Sequence, residues 1–168
     1  MRAMGVGAAR GAEVAIIVGY DGTAPAELAL RRAAEYARAL AANVVVVSVA
    51  APPPPDGVGA PGAFGLMPYG VYPTGDPDQT RARDEQLWQQ HRDRVRTLFD
   101  DADLQVEFAG VAGDPAQELV EAAEQRQARL IIVGTREPGF LERLLGGSVS
   151  QDVARNAHCD VLIVHPGD

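Results

Sequence analysis

The sequence predicts an α/β domain in which a doubly wound, parallel sheet of five strands carries helices on both faces. Short, apolar, β-branched runs recur along the chain, and segments with a helical period of apolar residues separate them. The runs are apolar throughout, as is typical of parallel strands that are buried on both faces. We therefore expect a single domain over residues 1–168, with its core at about 13–166.

The first part of the chain predicts a parallel βαβ unit. Residues 14–19 (VAIIVG) form the first predicted strand, and residues 44–49 (VVVVSV) form the second. Between them, Thr23 is placed to cap a helix that has Pro25 in its first turn. We expect this helix to end at Asn43. Two apolar strands joined by a helix require a parallel crossover connection.

A Pro/Gly-rich loop at about residues 51–78 interrupts the pattern. It opens with four consecutive prolines at 52–55, and Asp56 is its only charge up to residue 75. No regular element is expected there. Two interpretations stay open, a mobile surface loop or a loop that packs over a cleft or a partner. In both, we expect this to be the most protease-sensitive stretch of the chain unless a ligand protects it.

The second half of the chain repeats the alternation of helix and strand. A long polar helix is predicted at 77–101, with His91 at the boundary of its apolar face. An edge strand follows around 104–108, and then comes a helix that Asp114 caps. The last predicted elements are a fourth strand at 130–133, a short segment of helix, a helix from 148 to about 157, and a fifth strand at 161–164.

Composition excludes several classes of function. The net charge of −8, from 15 basic and 23 acidic residues, argues against a protein that binds nucleic acid through a basic surface. The chain has no lysine, so it has neither a P-loop lysine nor a Schiff-base lysine. Its one cysteine, Cys159, excludes an intrachain disulfide. His158 beside Cys159 supplies only two candidate ligands, so no metal site is expected.

The sequence also gives no indication of catalysis or of a membrane. We find no Ser-His-Asp order, catalytic lysine or metal cluster for general acid–base chemistry, so no catalytic residue is assigned. The longest apolar runs have the length of strands, and residues 1–12 lack the apolar core of a signal peptide. We therefore expect a cytoplasmic protein.

A candidate ligand site lies at the ends of the first and fourth strands, because ligands bind such sheets at the carboxyl ends of the strands. Asp21 follows the first strand, and Gly134 ends the fourth. Ser148 and Ser150 begin a helix whose free N–H groups favour an anion. A purely structural interpretation stays open. Asp21 can serve only the turn, and Ser148 with Gln151 can form a capping box.

The chain resembles the universal stress proteins over residues 14–164. Three segments carry the resemblance: VAIIVGYDGTAPAELALRRAAEYA, GVAGDPAQELVEAA and LIIVGTREPGFLERLLGGSVSQDVARNAHCDVLIV. The resemblance implies a Rossmann-like fold of the adenine nucleotide alpha hydrolase type. It also implies an adenine nucleotide ligand such as ATP, with Mg²⁺ shielding the phosphates, and a homodimer formed through the C-terminal strand.

Nucleotide-binding members of this family carry a glycine, two residues, a second glycine, nine residues, and then Gly-Ser or Gly-Thr. The first glycine corresponds to Gly134, and the last pair to Gly147 and Ser148. The second glycine is replaced by Glu137. The resemblance implies that the adenine and ribose face Asp21 and Val49, and that the ribose and phosphates face Gly134, Gly147, Ser148, Val149 and Ser150.

Two hypotheses for the function follow. The first is a stress-response regulator that binds an adenine nucleotide and has at most slow ATPase activity. The second is a universal stress protein that binds no nucleotide and acts through protein partners. Glu137 favours the second, and the intact GGSVS segment at 146–150 opposes it. A nucleotide-dependent transferase would need a Ser-Gly-Gly phosphate loop after the first strand, where this chain has GYDGT at 19–23.

We predict that Glu137 limits the affinity for ATP. A carboxylate beside the outer phosphates costs on the order of 1 kcal/mol. Glu137→Gly is therefore expected to tighten ATP binding more than AMP binding in calorimetry, whereas Gly147→Val abolishes both. Equal ATP affinities of the parent protein and Glu137→Gly would contradict the repulsion argument.

Overall fold

The computed structural model describes residues 14–50, 77–99, 104–135 and 149–165. Most of the Pro/Gly-rich loop and the segment of helix expected after the fourth strand lie outside these residues. Within them, strands and helices alternate: β1 (Ala15–Gly19), α1 (Ala24–Leu40), β2 (Asn43–Ala50), α2 (Pro77–Phe99), β3 (Val106–Ala112), α3 (Pro115–Gln125), β4 (Leu130–Gly134), α4 (Val149–Asn156) and β5 (Asp160–Val164).

The strands form one parallel sheet in the order β3-β2-β1-β4-β5. The central strand is β1, in which Ile17 pairs with Val45 of β2 on one side and with Ile131 of β4 on the other. The predicted five-stranded, doubly wound α/β fold is confirmed. So is the placement of the third strand at an edge of the sheet, and the fifth strand forms the other edge.

Helices cover both faces of the sheet. Ile16 and Val18 pack with apolar residues of α1 and α2, while Ile17 packs with those of α3 and α4. All three side chains are fully buried. Burial on both faces explains why β1 is apolar at every position instead of alternating with polar residues.

Two predicted N-caps are present. The Thr23 hydroxyl accepts a hydrogen bond from the Ala26 N–H at the start of α1, at 3.4 Å. The Asp114 carboxylate accepts one from the Gln117 N–H at the start of α3, at 2.9 Å. Each cap satisfies an N–H group that has no partner within its helix.

The predicted end of α1 at Asn43 is wrong. The helix ends at Leu40, and Ala41 adopts a left-handed conformation with φ of 50°. Asn43 is instead the first residue of β2, where its N–H donates to the Val14 carbonyl at 2.8 Å. The Asn43 N–H therefore bonds within the sheet and not to a carbonyl one turn earlier in the helix.

The strand boundaries also differ from the prediction. The third strand was expected around 104–108, but β3 runs from Val106 to Ala112 because the whole of it pairs with the long strand β2. The small residues Ala109 and Gly110 concealed this extension, since they carry no apolar alternation. The fifth strand begins at Asp160, one residue earlier than predicted. Strands β1, β2 and β4 differ from their predicted bounds by one residue at one or both ends.

Helix α2 is held against the sheet by aromatic contacts. Trp88 packs directly on Gly110 of β3, where an added Cβ would lie 2.5 Å from Cγ of the indole. The Arg92 guanidinium lies over the Phe108 ring, 5.3 Å from its centroid. Because Gly110 leaves room for the indole, α2 approaches the edge of the sheet closely.

Strand β4 meets the start of α1 without space for a side chain at Gly134. An added Cβ there would overlap the Pro25 carbonyl oxygen and lie 2.5 Å from the carbonyl carbon. Both atoms belong to the backbone, so they cannot rotate away. Gly19 differs, because its added Cβ would meet the Leu119 side chain at 3.1 Å and the Val133 side chain at 3.3 Å.

We predict that Gly134→Ala destabilises the fold by about 2 kcal/mol, because the added methyl group must displace the backbone of α1. Gly19→Ala is the matched control and is expected to cost about half as much or less, since Leu119 can adjust its rotamer. Urea denaturation of the three proteins measures both costs. Equal destabilisation by the two changes would contradict the close approach at Pro25.

Candidate functional site

An open cleft lies at the carboxyl ends of the central strands. The chain order reverses at β1, since β2 and β3 extend the sheet on one side and β4 and β5 on the other. In open α/β sheets, such a switch point is the usual place for a ligand. The residues that line the cleft are Gly19, Tyr20, Asp21, Ala26, Val47, Val49, Pro115, Leu119, Val133, Gly134 and Val149.

One wall of the cleft is apolar. Val47 and Val49 come from β2, Val133 from β4 and Leu119 from α3, all on the face of the sheet that α3 and α4 cover. Val47, Val133 and Leu119 are buried, whereas Val49 is only half-buried. This wall suits the flat, apolar face of a ligand.

The cleft is also lined by a carboxylate. One oxygen of Asp21 accepts hydrogen bonds from the Thr23 N–H at 3.1 Å and from the Thr23 hydroxyl at 2.6 Å. Gly22, between them, has φ of +78°, a conformation that glycine adopts without strain. These bonds fix the position of an exposed carboxylate. Asp21 thus has the turn role that the sequence left open, and it lines the cleft as well.

Four of the residues implicated from the sequence line the cleft together: Asp21, Val49, Gly134 and Val149. Ser150 follows in the first turn of α4 and is buried. Gly147, Ser148 and Glu137 lie outside the described residues. Gly134 has a structural reason to be glycine as well, because it contacts the backbone of Pro25.

His91 is a residue of this region that the sequence reasoning missed. Instead of lying at the boundary of the apolar face of α2, it is 9% exposed, and its Nδ1 lies 2.7 Å from the Ser48 hydroxyl oxygen. Its ring meets the Tyr20 ring edge-on at a centroid distance of 5.0 Å. Ser48 could have indicated this contact from the sequence. It is a polar residue within an otherwise apolar, buried strand, and a buried hydroxyl needs a hydrogen-bond partner.

The surroundings of His91 and Tyr20 favour the neutral form of both side chains. Burial lowers the pKa of His91, and the negative charge of Asp21 opposes this shift. Burial also raises the pKa of Tyr20, and the nearby carboxylate of Glu27 adds to the rise. At neutral pH an uncharged imidazole therefore packs behind the turn that presents Asp21.

An ion pair joins α1 to α2 beside this turn. The Arg94 guanidinium donates two hydrogen bonds to the Glu27 carboxylate, at 2.7 and 3.0 Å. The bond from Arg94 lowers the pKa of Glu27. Both side chains are partly solvated, so the pair serves more to set the position of α2 than to stabilise the fold.

Two further observations apply to the part of the chain that the structure describes. In the ranges 14–50, 77–99, 104–135 and 149–165, no group of three or more His, Cys, Asp or Glu side chains is placed to hold a metal ion. None of the helices in these ranges has both the length and the hydrophobicity that crossing a bilayer requires.

The family model of the universal stress proteins matches residues 15–165. The chain belongs to the universal stress protein family. This finding confirms the resemblance drawn from the sequence.

Curated relatives agree with this assignment. A universal stress protein of Mycobacterium tuberculosis is 33% identical over 163 residues, which cover 91% of this chain and 48% of the relative. The stress response protein NhaX of Bacillus subtilis is 26% identical over 164 residues, covering 89% of this chain and 96% of that protein. The chain thus spans about half the length of the mycobacterial relative.

Solved structures of the family have the same fold. A universal stress protein in complex with cAMP is 27% identical, with a TM-score of 0.61 over 92% of this chain and 98% of that one. The universal stress protein of Archaeoglobus fulgidus in complex with dAMP is 22% identical, with a TM-score of 0.59 over 91% and 98%. The second likeness is one of fold alone.

Proposed function

We propose that this chain binds an adenine nucleotide in the switch-point cleft and acts as a stress-response regulator in the cytoplasm. The observation that carries the proposal is the pairing of an apolar wall, around Val49 and Leu119, with the fixed carboxylate of Asp21. A flat base and a ribose need these two kinds of surface. The cAMP complex of a relative at 27% identity supports the same ligand class.

Each part of a nucleotide has a counterpart in the cleft. The apolar wall takes the purine ring, and the Asp21 carboxylate accepts hydrogen bonds from the ribose hydroxyls. The phosphates extend toward Val149 and Ser150 at the start of α4, where N–H groups and the helix dipole favour negative charge. Gly147 and Ser148 of the sequence motif precede this helix directly.

We propose that Mg²⁺ enters only together with the phosphates of ATP. The described residues of the chain hold no cluster of carboxylates and histidines for a resident metal ion. Asp21 is the carboxylate that lines the cleft in the described part of the chain, and it already binds Thr23. Mg²⁺ commonly binds through substrate phosphates with one or two carboxylates, which fits such a site.

The proposed function is binding and not fast catalysis. His91 packs behind the turn and does not line the cleft, so it is not placed to activate a water molecule beside a phosphate. We expect at most slow ATPase activity.

One observation favours the alternative of a partner-binding protein without a nucleotide, namely Glu137 in place of the second motif glycine.

We predict that Val49→Phe weakens the binding of AMP and ATP by at least about tenfold, because the ring occupies the apolar wall of the cleft. Val111→Phe is the matched control. Val111 is the register partner of Val49 on β3, is equally half-buried and does not line the cleft. Titration calorimetry gives the affinities, and circular dichroism checks that both variants fold.

Two results would count against this proposal. If the parent protein binds neither AMP nor ATP nor cAMP, the partner-binding alternative is favoured. If it binds them and Val49→Phe binds as tightly as Val111→Phe, the nucleotide lies elsewhere.

We also propose a homodimer that forms through β5. Asp160 donates its N–H to Arg129, and Val164 accepts a hydrogen bond from Thr135, so both residues turn their backbone groups toward β4. In a parallel pair such residues alternate, so Val161 and Ile163 turn theirs outward along the edge. An apolar edge strand of this kind can pair with a second copy around a two-fold axis.

Val161→Pro tests the dimer, because proline removes one outward N–H and is tolerated on an edge strand. Val161 also packs against the core on the face of α3 and α4, so circular dichroism checks that the variant folds. Light scattering is expected to give twice the chain mass of 17.7 kDa for the parent protein and a reduced dimer fraction for Val161→Pro. A parent protein that is monomeric at micromolar concentration would refute the dimer.

A further inference from the structure

We propose that His91 is a positioning residue for the turn at residues 20–22, and that protonation of its imidazole weakens nucleotide binding in the cleft. The inference rests on the proposed function. It adds a pH dependence that acts through the turn and not through contact with the nucleotide.

The His91 ring supports the turn from behind. It lies edge-on to Tyr20, and a Cβ added at Gly22 would lie 2.9 Å from its Nε2. Tyr20 and Asp21 line the cleft, whereas His91 does not. Ser48, which holds the other side of the ring, lies on the face of the sheet opposite to Val47 and Val49. The ring therefore reaches the ligand site only through the turn.

We infer that the neutral ring carries its proton on Nε2. Nε2 faces the turn, where the negative charge of Asp21 acts on the ring and favours an N–H on that side. Nδ1 is then an acceptor, and the Ser48 hydroxyl donates to it at 2.7 Å. Ser48 is completely buried, so this bond gives its proton a partner that water cannot supply.

Protonation disturbs both sides of the ring. Nδ1 becomes a donor, and the Ser48 hydroxyl must then turn its own proton elsewhere within a buried site. On the other side, the new positive charge attracts the Asp21 carboxylate, which the proposed function requires as an acceptor for ribose hydroxyls. Both effects oppose the arrangement that the nucleotide needs, so the affinity falls as the pH falls.

The other charged groups around the turn do not titrate in the same range. Glu27 of α1 and Arg94 of α2 form the ion pair beside Tyr20, and their hydrogen bonds lower the pKa of Glu27 and raise that of Arg94. Burial raises the pKa of Tyr20 above its ordinary value. Among these groups, His91 is the one whose ordinary pKa lies near neutrality, and burial moves its protonation toward lower pH.

The pKa of His91 is lowered by folding, so the unfolded chain binds the proton more strongly than the folded one. Below about pH 6.5 the unfolded state therefore gains protons first, and the free energy of unfolding decreases as the pH falls. Binding is measured on protein whose folding at the lower pH is verified by circular dichroism. A lower limit of about pH 5.5 also stays above the isoelectric point of 4.8.

The experiment uses cAMP, because its single phosphodiester charge stays constant in this range, whereas the terminal phosphates of AMP and ATP titrate near about pH 6. For the parent protein, we expect Kd to rise as the pH falls from about 7.5 to 5.5, toward a limiting rise of about threefold when His91 is fully protonated, which corresponds to a coupling of about half a pKa unit. His91→Asn keeps a polar group near Ser48, and its Kd is expected to be independent of pH. His158→Asn is the control, because His158 is an exposed histidine whose Nε2 lies 3.2 Å from the Glu124 carboxylate. We expect this variant to keep the pH dependence of the parent protein.

A second measurement needs no variant and decides the matter if His91→Asn does not fold. Nitrogen-15 spectra of the histidine rings are expected to show the Nε2–H form of His91 and a lower titration midpoint when cAMP is bound, as reciprocity requires. An unshifted midpoint, or a parent-like pH dependence of binding in His91→Asn, overturns this inference and leaves the proposed function intact. If cAMP, AMP and ATP bind at no pH, the proposed function fails as well.

Discussion

The architecture of this protein depends on the position of β1 between β2 and β4. The strand is buried on both faces and pairs in parallel on both sides, and the chain first extends the sheet through β2 and β3 and then returns to add β4 and β5 on the other side. Right-handed crossovers that run in opposite directions across a sheet place their helices on opposite faces. Helices α1 and α2 therefore cover one face, and α3 and α4 cover the other. The cleft is the gap that this divergence leaves above the carboxyl end of β1.

The turn after β1 separates two environments. On the side of the cleft it presents Asp21, fixed by two hydrogen bonds from Thr23. On the other side it rests on His91, which is held by Ser48. A change in the charge of His91 can therefore affect the cleft although no described residue of α2 lines it. The turn at residues 20–22 thus connects the proposed ligand site to the helices α1 and α2.

The fold was largely predictable from the sequence, because strands that are buried on both faces consist of uninterrupted β-branched runs. The starts of α1 and α3 were predictable because Thr23 and Asp114 cap them through hydrogen bonds to residues only three positions away. The end of α1 was not predictable in this way. Ala41 adopts a left-handed conformation that alanine does not favour, and the pairing of Asn43 with Val14, far away in sequence, decides where β2 begins.

The cleft residues Asp21, Val49, Gly134 and Val149 were predictable because strand ends meet at one edge of a parallel sheet, and because the family resemblance selected them. His91 was not, because its partner Ser48 is 43 residues away and only tertiary packing brings them together. The contact of Gly134 with Pro25 was not predictable either. The residue type at one position does not indicate how closely the backbone of another segment approaches it.

Amide spectra of nitrogen-15-labelled protein, recorded during titration with AMP, test most directly whether an adenine nucleotide binds at the carboxyl end of β1. We expect the largest shifts at residues 19–23 and 47–49, at Gly134 and at the start of α4. Amides at the amino ends of β2 and β3, such as Asn43 and Glu107, are expected to stay unchanged. Saturable shifts centred on those amino ends or on β5, or no shifts at millimolar AMP, would contradict binding at this site.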